Sequence, residues 1–439
     1  MRSRTSSGPT SPRRLALGLI ATALAFGAAT GASYADSPPA PDLSAAVHYL
    51  TTTTGANGVV DGTSLAHDGY YEAFAGFADY GLTIDGALAL AATRIDNTTL
   101  TKVVEVLDQS RKDPSGQSVN DWTGIGTPFA GGGSIGKEAL LTEVTGLDPH
   151  AFGGHDLISA LDHIVCTTTD VANGCAGPGN YLYATSTFSQ ALGVIAQLRA
   201  GDAKGAASAL AYLESLQDSA GAWPSVLPAT GDADVDSTAI AAMALALLPT
   251  DATAAAAATK AEAWIASRQG ADGGFAGVTG NSTNSAALAI PALTLAGPTY
   301  ATRISAAVGF LAGEQNPDGG FDAAAGGQPG SDVRASAQVV GGIGGTSLGT
   351  LSDVIEPDSG GQTTTTTAPT STTAPTGSTT TTVRVAGAAG GGPAAPVPGP
   401  VTLPATGAGT GRSLEWVAGL LVVGLTASRA RRRRRWTRA

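Results

Sequence analysis

Between about residue 45 and residue 345 the chain alternates two kinds of segment. The first is an Ala/Leu-rich stretch opened by a polar residue: Asp85 to Thr93, Thr187 to Ala200, Asp236 to Leu248, Thr283 to Ala296 and Asp332 to Gly342. Asp, Ser and Thr suit such openings, because a side-chain oxygen accepts the free amide hydrogens of a first helical turn. Helices that are apolar nearly all round belong inside a structure. The second kind presents one large apolar residue nine positions before a Gly. These residues are Tyr49, Tyr212, Trp264 and Phe310, with Leu107 and Val165 in weaker copies. Helix, Gly turn, helix is therefore the repeating unit.

The turns share a signature. Gln217 to Trp223 (QDSAGAW), Gln269 to Phe275 (QGADGGF) and Gln315 to Phe321 (QNPDGGF) all read QxxxGx[WF]. Aligned on the Gly, degenerate copies fall at Gly58, Gly116 and Gly174, so six motifs lie 58, 58, 47, 52 and 46 residues apart. Gly supplies the positive φ of a tight reversal. Six helical pairs with small residues on the second helix predict an all-α fold closed into an α/α barrel, repeat six packing on repeat one. The motif resembles the QW-type repeats of the squalene cyclase and protein prenyltransferase superfamily, over residues 45 to 345 and best in the last three repeats. The resemblance implies an α/α toroid of six helical hairpins. That toroid serves cyclases, prenyltransferases, complement thioester domains and cobalamin carriers, so activity has to be read from individual residues.

Each activity requires its own groups. A cyclase of this family implies DxDD followed by Thr-Ala, with the middle Asp as general acid. Here Asp234-Val235-Asp236-Ser237-Thr238-Ala239 puts Asp236 in that place and Ser237 where a carboxylate is needed. A prenyltransferase implies zinc held by Asp, Cys and His, for which His150, His155, Asp162, His163 and Cys166 are at hand. Cys166 and Cys175 are the only cysteines, however, and in an exported chain they read better as a disulfide closing a small loop. Gly313-Glu314-Gln315 follows Ala312, which excludes a thioester. Asp232, Asp234 and Asp236 alternate like the opening of a calcium loop, without its Gly and closing Glu. No metal and no cofactor are expected. What recurs is a polar position at the start of each second helix, and these starts should converge on one rim of a central funnel. The rim candidates are Asp85, Gln190, Asp236, Asn284, Arg334 and Gln338, with Lys137 and Glu138 nearby in repeat two.

The ends change the picture from enzyme to surface protein. Residues 1–35 carry Arg2, Arg4, Arg13 and Arg14 ahead of an apolar run and end in Ser33-Tyr34-Ala35, the form of a signal peptide cleaved before Asp36; the Arg13-Arg14 pair leaves the Sec and Tat routes both open. Residues 36–44 read as a linker, 45–350 as the toroid, and 351–402 as a Thr/Pro/Gly-rich disordered stalk that buries too little to order itself. Residues 403–439 combine Leu403-Pro404-Ala405-Thr406-Gly407, an apolar stretch from Trp416 to Ala427 and an Arg-rich tail. This order resembles the LPxTG cell-wall sorting signal of Gram-positive surface proteins. It implies that a sortase cleaves after Thr406 and joins it to peptidoglycan, the C-terminal segment touching the membrane only transiently. Between residues 36 and 406 stand 12 basic and 34 acidic residues, a net charge of −22 that excludes general nucleic-acid binding. The sequence thus describes an exported, wall-anchored protein whose toroid is a non-catalytic binding module for an unidentified extracellular ligand. The alternatives are a terpenoid-cyclase-like enzyme using Asp236 and a corrinoid or other small-molecule carrier.

Overall fold

The computed structural model describes residues 39–53, 64–230, 232–277 and 280–355. The signal peptide, the sorting residues Leu403, Pro404, Thr406 and Gly407, nearly all of the stalk, and Gly58 lie outside them.

Repeat one comprises α1 (Leu43–Thr52), the single turn α2 (Leu65–Asp68) and α3 (Tyr80–Thr93), and repeat two α4 (Asn97–Asp108), the short α5 (Val119–Thr123) and α6 (Gly132–Val144). Repeat three pairs α7 (Leu157–His163) with α8 (Thr187–Arg199), and repeat four α9 (Ala207–Ser215) with α10 (Val235–Leu245). Repeats five and six pair α11 (Ala252–Ser267) with α12 (Thr283–Thr294) and α13 (Ala301–Gly313) with α14 (Val333–Gly342). Two small antiparallel hairpins decorate the turns. In one, Glu72 pairs with Ala78 and Phe74 with Phe77; in the other, Phe275 pairs with Ser282 and Ala276 with Asn281.

The fold is an α/α toroid. Helices α3, α6, α8, α10, α12 and α14 form an inner ring in which each packs on the next and α14 packs on α3. Each outer helix lies on the inner helix of the preceding repeat, and α1 completes the outer ring by lying on α14. Ala-rich helices take the inner positions because all their faces are covered; α10 is buried at every residue from Val235 to Leu245. Their starts are set by Asp79, Ser186, Asp234, Ser282 and Asp332, whose side chains each accept an amide hydrogen of the first turn.

The three strong motifs act as clasps between neighbouring repeats. The Gln217 amide donates to its own turn at Gly221 O and to Ala257 O of the next outer helix. Gln269 donates likewise to Gly273 O and Arg303 O. Gln315 donates to Gly319 O and, across the closure, to Asp42 O, while Asp42 N donates back to Gln315 Oε1. Each motif Gly is left-handed and lies against the next outer helix, so a Cβ at Gly319 would stand 2.2 Å from the Ala45 carbonyl oxygen. Trp264 and Phe310 are buried, as the repeat register requires.

The weak copies are misplaced. Gly116 faces open space, and its turn is organised instead by Asp113, which accepts from Ser115 Oγ, Gln117 N and Ala78 N. Gly174 belongs to a loop closed by the Cys166–Cys175 disulfide. The turns equivalent to the motif are Gly69-Tyr70-Tyr71 and Gly179-Asn180-Tyr181: both Gly are left-handed and sit on the next outer helix, at Lys102 and Ser208, and both Tyr rings are fully buried.

The chain also stays ordered past residue 350. Leu351, Asp353 and Ile355 are buried, so the folded unit ends at least five residues into the stretch assigned to the stalk.

Ring closure is open to a paired test. Gly326→Ala, at φ +72° with nothing within 4 Å of a new Cβ, should cost about 1–2 kcal/mol for the left-handed backbone alone. Gly319→Ala adds a backbone collision with Ala45 and should cost at least about twice as much. Urea denaturation of the two variants decides; equal losses would mean that this contact does not hold the ring closed.

Candidate functional site

Four inner helices place corresponding residues at the mouth of the barrel. Phe188, Asp236, Asn284 and Arg334 each stand two positions after their capping residue. Helix α3 begins five residues earlier than the sequence pattern indicated, so Asp85 lies more than a turn inside it.

Asp85 and Arg334 do meet, but each is already paired. Lys137 Nζ lies 2.6 Å from Asp85 Oδ1 and donates to Gly81 O at 2.8 Å. Arg334 Nη1 donates to Asp85 Oδ2 at 3.1 Å, and its Nη2 lies 3.4 Å from Asp79 Oδ2. Two cations and two carboxylates thus bridge α3, α6 and α14 across the seam where the ring closes. Burial pushes the Lys137 ammonium below its ordinary pKa and Asp85 counters this, while nearby Arg334 adds to the lowering. Such a network is largely self-neutralised.

Below the mouth lies a central cavity of only about 60 Å³, lined by Asp85, Leu88, Phe188, Met243, Leu288 and Gln338 and closed on the far side by Thr346 and Leu348. Clefts that bury a drug-sized ligand run to about 300–1,000 Å³. The lining contains one aromatic ring, Phe188. Asn284 Oδ1 and Gln338 Oε1 are buried with no hydrogen-bond partner among the described residues, and the space has room for a few waters.

Asp236 is neither a cap nor wet. Asp234 caps α10, accepting from Ser237 N at 2.7 Å, and Asp236 turns into the interior. It is 1% exposed, and among the described residues neither carboxyl oxygen has a well-aligned hydrogen-bond partner, the Ser285 side chain lying near. Burial, reinforced by Asp234 and opposed by the Ser285 side chain, pushes its pKa up to about 7. The same argument removes the calcium-loop reading.

Gln190 is not a rim residue. It is fully buried and works as the missing clasp of repeat three: its amide donates to Gly179 O and Ala209 O, and its Oε1 accepts from Tyr181 N. Glu138 points toward the outer layer near Gly153, and burial, with Asp108, raises it to about 8. Cys166 is held in the disulfide and unavailable to zinc. Among the described residues no group of three or more His, Cys, Asp or Glu side chains is placed to hold a metal ion.

A site the sequence did not reveal lies outside the barrel. A groove of about 790 Å³ runs along one exposed face of α9, made by Ser208, Ala211, Tyr212 and Ser215. Its opposite wall is made by Cys166 and Thr167 of the disulfide-closed loop and by Pro178 and Gly179 just after it. At one end Asp162 meets Asp202, and the buried Gln197 amide donates to both carboxylates. Tyr181 Oη donates in turn to Gln197 Oε1. A Cβ at residue 205 would fall 2.1 Å from Asp162 Oδ1 and 2.0 Å from Asp202 Oδ2, so Gly205 is what lets the two acids approach. Partial burial and then the Asp202 charge raise the Asp162 pKa. The i, i+3, i+4, i+7 spacing along α9 was the available signal.

A family model agrees with the fold over part of the chain. Residues 150–335 match the family model of the prenyltransferase alpha-alpha toroid domain. Among solved structures the chain is similar to a protein from Actinoplanes, at 17% identity and a TM-score of 0.48, over 69% of this chain and 98% of that one. It is also similar to a type II terpene cyclase from Scytonema, at 17% identity and a TM-score of 0.48, over 70% and 97% of the two chains. No curated protein matches the sequence.

The buried carboxyl makes a pH prediction. Between Asp236's ordinary pKa of 3.8 and its folded value of about 7, the folded chain holds a proton that the unfolded chain has released. Stability from this group is therefore full below about pH 4, falls as pH rises, and levels off above about 7. Asp236→Asn should remove that fall, gaining on wild type by a few kcal/mol, on the order of 1.4 per pKa unit, at pH 8 and little at pH 4. Parallel stability-versus-pH curves for the two chains would show a solvated carboxyl instead.

Proposed function

We propose that the chain is an exported surface protein, joined to peptidoglycan at Thr406, whose toroid binds a hydroxyl-rich extracellular ligand such as an oligosaccharide in the outer groove. The observation that carries this reading is the contrast of volumes: about 790 Å³ in the groove beside α9 against about 60 Å³ in the cavity between the inner helices. Among the described residues no Lys, Arg or His lines the groove, which disfavours anionic ligands. Tyr212 offers an apolar face, while Asp162, Thr167, Ser208 and Ser215 offer hydrogen-bonding groups, a combination suited to a sugar ring. The loop that forms the opposite wall is fastened by a disulfide, which keeps the groove preorganised.

Anchoring rests on the order of pentapeptide, apolar run and basic tail. Among the described residues no helix is long and apolar enough to cross a membrane. A second, enzymatic reading draws on one observation, the dry and proton-holding Asp236 carboxyl. The narrow lumen opposes it, because a polyprenyl chain needs far more room than a few waters. Cyclised product from squalene with wild type, absent with Asp236→Asn, would establish that reading.

The groove is tested by NMR titration of the purified ectodomain with neutral oligosaccharides built from glucose, mannose or N-acetylglucosamine. Shifts should cluster at residues 165–179 and 205–215, and Tyr212→Ala should weaken binding about tenfold or more, the scale of an aromatic anchor. Paired Asp85→Asn and Arg334→Gln changes should leave affinity unchanged; affinity lost there and kept in Tyr212→Ala would move the site to the rim. Separately, Thr406→Ala should shift the protein from the wall fraction to membrane or medium, and an unchanged wall fraction would rule out sortase attachment.

A further inference from the structure

After α14 the chain does not leave the barrel. Residues 343–355 run across the C-terminal ends of the inner helices. Gly345 lies against Thr294 of α12, and Gly349 against Met243 and Leu247 at the end of α10. The segment then crosses α8, where Arg199 Nη1 donates to Leu348 O and Gly349 O and Nη2 donates to Leu351 O, at 2.8 to 3.1 Å. Beyond α6, Asp353 N and Ile355 N donate to Val144 O and Thr145 O. Arg94, which ends α3, donates to Ser352 O and lies 3.5 Å from Asp353. One strap thus touches all five other inner helices. Arg199 is its latch: the guanidinium makes three bonds to strap carbonyls, and its Nε donates to Glu143 Oε2 at 3.2 Å, which fixes the fork.

Two observations separate this strap from the ring itself. The bonds that close the ring, Gln315 to Asp42 and Arg334 to Asp85, involve no strap residue. The far lining of the central cavity, by contrast, is the strap: Thr346 and Leu348 face Leu88, Met243 and Leu288. Withdrawing it would open an apolar lumen and leave the inner ring bonded.

We propose that residues 343–355 form a releasable plug, latched by Arg199, that opens the C-terminal end of the lumen while the barrel stays folded. The chain continues beyond Ile355, for 51 residues as far as Thr406 (406 − 355), so a pull from that side reaches the plug before any of the described helices. Ile355 holds one backbone bond, and Asp353 holds one backbone bond with the Arg94 contacts beside it, so these give way in turn. The three Arg199 bonds lie behind them and resist together.

Single-molecule pulling tests this, with handles ahead of Asp42 and beyond Ile355. An early reversible step of about 13 residues, roughly 40 Å, should precede unfolding of the barrel. Arg199→Gln should about halve the force of that step, and Arg199→Lys, which keeps the charge beside Glu143 and loses the fork, should lower it as well. Moving the handle to residue 342 should abolish it. In solution, Arg199→Gln should raise the fluorescence of 1-anilinonaphthalene-8-sulfonate severalfold with the helical circular dichroism retained. Unfolding in one step from the C-terminal handle would overturn the proposal. So would an early step that Arg199→Gln leaves unchanged, or dye binding accompanied by loss of helix.

Discussion

The closeness of the inner helices governs the rest of this molecule. Gly136 of α6 meets Gly193 of α8 so tightly that a Cβ would stand 2.6 Å from the Gly193 amide nitrogen, and a Cβ on Gly342 of α14 would stand 2.1 Å from Ala287 O of α12. Helices usually pack at about 8–10 Å depending on the side chains between them, and Ala and Gly bring them to the short end. Contacts of this kind draw the inner helices toward the centre of the ring. The narrow lumen is therefore a direct consequence of the Ala-rich composition that made the inner helices legible in the first place. A polyene-binding cavity of the same topology would need larger side chains to hold the helices apart and aromatic ones to face a cation.

Where a repeat expressed its clasp in consecutive residues, the sequence was enough. Gln, left-handed Gly and aromatic ring stand at fixed spacing in repeats four to six, and each does there what the spacing suggests. In repeats one and three the same contacts exist in space and are built from other residues. Tyr71 and Tyr181 replace Trp or Phe, and Tyr71 Oη donates to Leu50 O just as Trp223 Nε1 donates to Leu213 O. Gln190 reaches the turn from the following inner helix. A search for Gln before Gly and Trp or Phe after it settles on Gly58 and Gly174 instead, because it reads order along the chain and the clasp is a matter of distance.

The candidate site was less legible, for electrostatic reasons. Asp85 and Arg334 are 249 residues apart, and nothing in their local patterns says that the ring will bring them together and neutralise them. Asp234 and Asp236 are both plausible caps by sequence. Only one carboxylate is needed to satisfy the first turn, and once Asp234 takes the Ser237 amide, helical geometry turns Asp236 inward to a place where ionisation is costly. The groove went unseen because its walls come from α9 and from an insertion that carries no repeat pattern at all.

These departures are not scattered. Repeats four to six follow the consensus and fasten themselves with Gln clasps, whereas the disulfide and the Asp113-centred turn lie in repeats one to three, the Asp85–Lys137–Arg334 network ties repeats one and two to repeat six, and the groove lies between repeats three and four. A closed ring is no stronger than its weakest seam, so a half that gives up regular clasps must be held by other bonds. The disulfide and the Asp85–Lys137–Arg334 network supply some of them, and the strap lies over the same half. Its last contacts, on Val144, Thr145, Arg94 and Arg199, all fall on the irregular half. The end of the folded chain thus lies over its beginning, and the loops of repeat three depart from the consensus to form one wall of the groove while the regular half keeps the ring in register.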